Sequence, residues 1–184
     1  MKKAIYFLEP LWTKIFAHDT SGGLFTNSED VLWKNSGDPS APMFSVLGSM
    51  SQMEGPFHLK LCYPELPSPN CNEWSQTSNP VTESDITGFI PISIPFTKKS
   101  LNGNFGGLGV NGDGYGTPAF IDHIPNHGNW LAAIGAYRYH GGVDTIPGPY
   151  DKKVKKVDMY IGHKGKYNNV RNILLLYLTV LLPC

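Results

Sequence analysis

The chain has 184 residues in which fifteen basic side chains balance fifteen acidic ones, so it is formally neutral. That balance excludes the basic face on which nucleic-acid binding depends. With 41% apolar residues, 16% charged residues, 20 glycines and 15 prolines, the composition suits one domain with a single core, built from short strands and tight turns rather than long helices.

In chain order, the opening MKKAIYFLEP starts like a secretory signal, but its five apolar residues are too few and no small-residue cleavage site follows. Residues 11–18 (LWTKIFAH) are β-prone and end in the turn DTSGG. Asn27 or Ser28 can cap a short helix with Glu29 and Asp30 at its positive end, stopping at Asn35-Ser36-Gly37. A second helix is predicted from Ala41, with Ser40 as cap and Pro42 in the first turn. Met43, Val46, Leu47 and Met50 then form one apolar stripe.

Residues 57–63 alternate cleanly, with Phe57, Leu59, Leu61 and Tyr63 on one face and His58, Lys60 and Cys62 on the other. A proline-rich loop follows and closes on Cys71, just before Glu73, Trp74 and Gln76. Cys62 and Cys71 lack zinc-site spacing, and an unpaired Cys62 would be an exposed thiol. A disulfide between them is therefore expected, two reduced thiols being the alternative.

Residues 86–96 (ITGFIPISIPF) place Ile86, Ile90, Ile92, Ile94 and Phe96 on one parity and Pro91 and Pro95 on the other. Two missing N–H groups on one side predict an edge strand. Seven glycines among residues 102–116 require a loop. Residues 130–139 (WLAAIGAYRY) read as a strand apolar on both faces, hence central, and residues 154–161 as a last strand burying Val157, Met159 and Ile161. The polar spacer 164–172 and the aliphatic run 173–182 have the outline of a lipid-anchor signal, but the small-residue site is poor. The run is half the length of a membrane span, so no transmembrane segment is expected. The domain is placed at 12–161, with 1–11 and 162–184 as atypical terminal segments.

Several phrases together resemble a family of secreted invertebrate proteins that includes skeletal organic matrix proteins with lectin-like extracellular domains. They are LWTKIFAHDTSGGLF, FHLKLCYPEL, CNEWSQTSNPVTESDITGF, GGLG, FIDHIPNHGNWLAAIGA, and TIPGP followed by VKKVDMYI. In that family a Gly-rich GGGW segment like that of fibrinogen-related domains carries the opening tryptophan; here residues 1–11 stand in its place. The resemblance implies a secreted, extracellular matrix or recognition domain with glycans or matrix proteins as partners, and it supplies no catalytic residues.

Candidate chemistry is sparse. His123 and His127 have H-x-x-x-H spacing beside Asp122, but Pro125 and Gly128 oppose the helix a metal pair would need. Asp113 in NGDGYG is the one calcium candidate, without the further carboxylates of an EF-hand, so no cofactor is expected. Lys152, Lys153, Lys155 and Lys156 read as strand-edge protection, the alternative being a grip on sulfated sugar. No G-x-S-x-G elbow is present. Glu65, Glu73 and Glu83 could serve a glycan hydrolase only as a close pair, so the expectation is a non-enzyme. Glycan binding fits aromatic rings beside amides and carboxylates: Asp122, His127, Asn129, Trp130 and Tyr139, with Trp74 as a second candidate. For Trp130, Tyr137 and Trp74, packing in the core is the alternative. The fold expected is mainly β, two packed antiparallel sheets resembling a β-sandwich with one or two short N-terminal helices; a fibrinogen-like α+β arrangement is the alternative.

Overall fold

Three strands foreseen far apart in the chain become neighbours in one antiparallel sheet. The computed structural model describes residues 11–23, 25, 28–97, 104–110, 119–121, 146–147, 149 and 152–163. In chain order the strands are β1 (Leu11–Asp19), β2 (Met43–Ser45), β3 (Phe57–Cys62), β4 (Cys71–Gln76), β5 (Ile90–Ser93), β6 (Gly109–Val110), β7 (Ala119–Ile121), β8 (Ile146–Pro147), β9 (Lys153–Val154) and β10 (Lys156–His163). A single helix turn, α1 (Ser28–Leu32), lies between β1 and β2. Six strands form the sheet in the order β2-β1-β10-β3-β4-β5, and two-stranded pairs join β6 with β7 and β8 with β9. The protein is thus mainly β. The expected pair of packed sheets is not seen among the described residues, where one face of a single large sheet carries the core.

That face follows from the alternation in β3 and β10. Leu59, Leu61, Met159 and Ile161 are buried, and across the ladders Ile161 lies opposite Leu59 and Leu59 opposite Trp74. Phe25, Val31, Leu47, Met50, Val81, Phe105 and Leu108 cover them from irregular segments and short turns. Buried amides fasten this cover. Gln76 accepts hydrogen bonds from Trp74 Nε1 at 2.8 Å and Leu108 N at 3.1 Å, and donates to Leu108 O at 2.8 Å and Ser78 O at 3.0 Å. Asn79 donates to Met50 O and Met53 O, while Asn72 both donates to and accepts from the backbone of Phe96. Irregular backbone can cover a core only when its polar groups are satisfied, and these side chains do so.

The stripe predicted as a helix from Ala41 is instead strand β2 followed by a 3-10 turn over Leu47–Gln52. Met43, Leu47 and Met50 are buried as the stripe requires. The backbone takes another route because Met43–Ser45 pairs with β1, and Trp33 lies where a Cβ on Gly48 would sit, 2.1 Å from the nearest ring atom. The glycine is required by that close approach. Strand β5 is an edge strand as Pro91 demands, though it is shorter than the predicted run and ends before Pro95, with Ile90 and Ile92 exposed. Of the lysines around Val154, Lys153 lies in β9, in the two-stranded pair with β8, whereas Lys156 lies in β10 between β1 and β3 and forms an ion pair with Asp19 at 2.8 Å rather than guarding an edge.

Strand β1 shifts register between Lys14 and Phe16, a β-bulge at Ile15. Before it Trp12 and Lys14 share a face with Gly162 and Tyr160; after it Phe16 and His18 face the core with Met159 and Val157. His18 is buried, and its Nε2 lies 3.0 Å from Gly23 O. Burial lowers its pKa below the ordinary 6.5, against opposing effects of the Gly23 bond and Asp19. Burial also lowers that of His163. A folded-state pKa below the unfolded one gives stability that is complete above pH 6.5 and lost as pH falls below it, because the unfolded chain binds the extra proton. The melting temperature should therefore be level from pH 8 to 7 and decline from about pH 6.5 towards 5. A melting temperature that rises on acidification through that window would contradict the burial of neutral His18.

Candidate functional site

The sheet's second face is polar and aromatic over β1, β10, β3 and β4. Pairing fixes which residues share it: Trp12 lies opposite Gly162, Gly162 opposite His58, and His58 opposite Ser75. In the adjacent row Lys14, Tyr160, Lys60 and Glu73 follow one another across the same four strands. At the next row the face closes over buried Phe44, Ala17 and Cys62, where Cys62 and Cys71 are paired across the ladder and joined by the disulfide.

Within the two polar rows each aromatic ring meets a lysine and each lysine meets a carboxylate. Lys60 Nζ is 3.9 Å from the centre of the Trp12 ring and 3.8 Å from Glu73 Oε2. Lys14 Nζ is 5.7 Å from the centre of the Tyr160 ring and 3.1 Å from Asp158 Oδ1. These are cation–π distances joined to ion pairs. His58 Nε2 lies 2.9 Å from Glu73 Oε1; since a carboxylate only accepts, Nε2 carries the proton. Its ring tilts against Trp12, with centroids 4.7 Å apart, and Nδ1 is buried without a hydrogen-bond partner among the described residues.

Gly162 makes this arrangement possible. A Cβ there would come 2.9 Å from both Trp12 Cζ3 and His58 Nδ1, so only glycine lets the indole reach across β10 to β3. Tyr160 donates to Asp158 Oδ2 at 3.2 Å. Burial, then the charge of Asp158 and this bond, raise its pKa to about 12, so the phenol stays protonated. Chemically, the face offers two rings for stacking and a set of hydroxyl, ammonium, imidazole and carboxylate groups for hydrogen bonding.

Of the glycan-site residues proposed from sequence, Trp74 is the one among the described residues. Asp122, His127, Asn129, Trp130, Tyr139 and the calcium candidate Asp113 lie outside the described residues, as do His123 and the strand predicted at 130–139. Trp74 is 0% exposed, packs edge-on against Phe105 at 5.0 Å and donates to Gln76. Its ring is therefore core and offers no face to a sugar, the correction that follows from its opposite number being Leu59. Glu65 accepts from the backbone of Lys155 and Lys156, Glu73 faces His58, and Glu83 accepts from Asn79 N. A shallow depression of about 360 Å³ lined by Asp19, Thr20, Ser21, Lys155 and Lys156 lies beyond the aromatic rows, and its Asp19–Lys156 pair closes on itself. Among the described residues no group of three metal-ligating side chains converges, and no helix is long and apolar enough to cross a membrane.

Sequence reasoning placed His58 and Lys60 on the polar side of their strand but missed Trp12, Lys14, Asp158 and Tyr160 as their neighbours. The signal was present in the parity of β10, where Asp158, Tyr160 and Gly162 alternate with the buried Val157, Met159 and Ile161. What parity alone lacks is the strand order that brings four polar sides together. A scan against protein-family models and searches of curated proteins and of solved structures found no match.

Proposed function

We propose that the protein is a non-catalytic extracellular recognition domain that binds glycans on the face carrying Trp12 and Tyr160. The observation that carries this reading is the pairing of two partly buried rings with hydrogen-bonding side chains held in place by one another. Aromatic rings stack on the C–H faces of pyranoses while such groups meet the hydroxyls. The disulfide suits an oxidising compartment, and the resemblance to secreted matrix and lectin-like domains points the same way.

A glycan array followed by titration calorimetry tests this. Trp12→Ala should weaken the strongest glycan at least about tenfold, the value of one good aromatic contact, while the melting temperature changes little. Trp33→Ala serves as the control, its ring being half exposed beside α1. Equal losses from both substitutions would remove the face from consideration. Turnover of a bound glycan, abolished by Glu73→Gln, would replace the binding module with a hydrolase.

A further inference from the structure

We infer that the ligand of this face is an uncharged, linear glycan held across at least two consecutive sugar units, an inference that rests on the glycan-binding reading above. The first ground is charge. The second face of the sheet carries Lys14, Lys60 and Lys156 against Asp19, Glu73 and Asp158, three cations and three anions. Each is within ion-pair distance of its opposite: Lys14 with Asp158 at 3.1 Å, Lys60 with Glu73 at 3.8 Å, Lys156 with Asp19 at 2.8 Å. A sulfate or uronate arriving at Lys60 or Lys14 would meet a carboxylate already there and would have to displace it. Among the described residues no lysine of these rows is left to receive an anion, which a sulfated ligand requires. A hydroxyl makes no such demand. Lysine has three donors and a carboxylate four lone-pair sites, so paired groups that remain a fifth to a quarter exposed can still bond a neutral sugar.

The second ground is spacing. Trp12 is opposite Gly162, and Tyr160 stands two residues before Gly162 on β10, so the two residues are diagonal neighbours across one strand pair, with the indole directed across β10 towards Lys60. The backbone positions of such a pair are about 7–8 Å apart, wider than one sugar ring. A ligand touching both therefore presents successive units of a chain. Held on a sheet face, it is bound along its side, so an internal stretch serves as well as a chain end.

The test uses hexamers and monomers of β-1,3- and β-1,4-linked glucose, heparin as a sulfated probe and polygalacturonate as a uronate probe, each titrated at low and high sodium chloride. A neutral hexamer should bind best, its monomer at least about tenfold more weakly, with Kd changing less than about twofold between the salt conditions. Glu73→Gln keeps the hydrogen bond to His58 but leaves Lys60 unbalanced, so it should strengthen heparin binding at least about threefold at low salt. Preference of the wild-type protein for heparin or polygalacturonate, with affinity lost as salt rises, would overturn the uncharged ligand and leave glycan binding standing. Equal affinity for monomer and hexamer would overturn the two-unit site. Absence of binding to every probe and to the wider array would sink both the inference and the reading beneath it.

Discussion

Replacing Gln76 by alanine should lower the free energy of unfolding by about 3–5 kcal/mol, a large part of the stability of a domain this size. The side chain is 0% exposed and serves groups from two distant parts of the chain. Its loss leaves Trp74 Nε1, Leu108 N and Leu108 O without the partner they now have at 2.8, 3.1 and 2.8 Å. Each orphaned buried group costs about 1–3 kcal/mol, and the space left by the amide adds to that. Gln76→Glu should also be severe, because a carboxylate cannot donate to Leu108 O or Ser78 O. Urea unfolding followed by circular dichroism measures both, with the exposed Gln52→Ala as reference. A loss under about 1 kcal/mol for Gln76→Ala would mean that the 105–110 segment is not fastened through this amide.

Removing the disulfide by the double change Cys62→Ala, Cys71→Ala should cost about 2–3 kcal/mol, from the chain entropy that closing so short a loop withdraws from the unfolded state. The bridge joins residues directly opposite in the β3–β4 ladder, so it constrains the hairpin that carries His58, Lys60 and Glu73. Reductant should reproduce the loss in the wild-type protein and leave the double variant unaffected. Peptide mapping that finds both thiols free in protein made in an oxidising compartment would remove the bridge and the compartment argument together.

Much of the sheet was legible residue by residue. Strands β3 and β10 follow from their own alternation, β1 from its β-prone composition, α1 from its acidic first turn, and the edge position of β5 from Pro91. Strand β4 was not legible as a strand, for a physical reason. Its buried side is Asn72, Trp74 and Gln76, and its half-exposed side is Cys71, Glu73 and Ser75. Hydropathy sees almost no alternation there, because two of the three inward residues are amides that bond to irregular backbone. The stripe from Met43 to Met50 misled in the opposite way: helix, or strand plus 3-10 turn, can bury Met43, Leu47 and Met50 alike, and pairing with β1 decides between them. The candidate face was legible only in halves. Polar parity is local information, whereas the order β1-β10-β3-β4 arises from contacts across most of the chain length.

The extra residue at Ile15 works as a phase shift in β1. Trp12, Lys14, Phe16 and His18 all have even numbers, yet the first two look out from one side of the sheet and the last two into the core. A strand of uniform pleat could not do both. The two sides are therefore held in opposite phase by one extra residue: a substitution adjusts a single side chain, whereas a uniform pleat through Ile15 would exchange whole sides. Flattening the bulge while keeping Ile15 and the C-terminal pairing would turn Trp12 and Lys14 inward and bring Thr13 outward, and the tryptophan–lysine contact would have no face on which to form. Deleting Ile15 would instead join Lys14 opposite Tyr160 directly to Phe16 opposite Met159 and leave both sides as they are, at the cost of one buried side chain. Homologues with this surface are thus expected to carry either the bulge or a β1 shorter by this one residue, but not a uniform pleat of the present length.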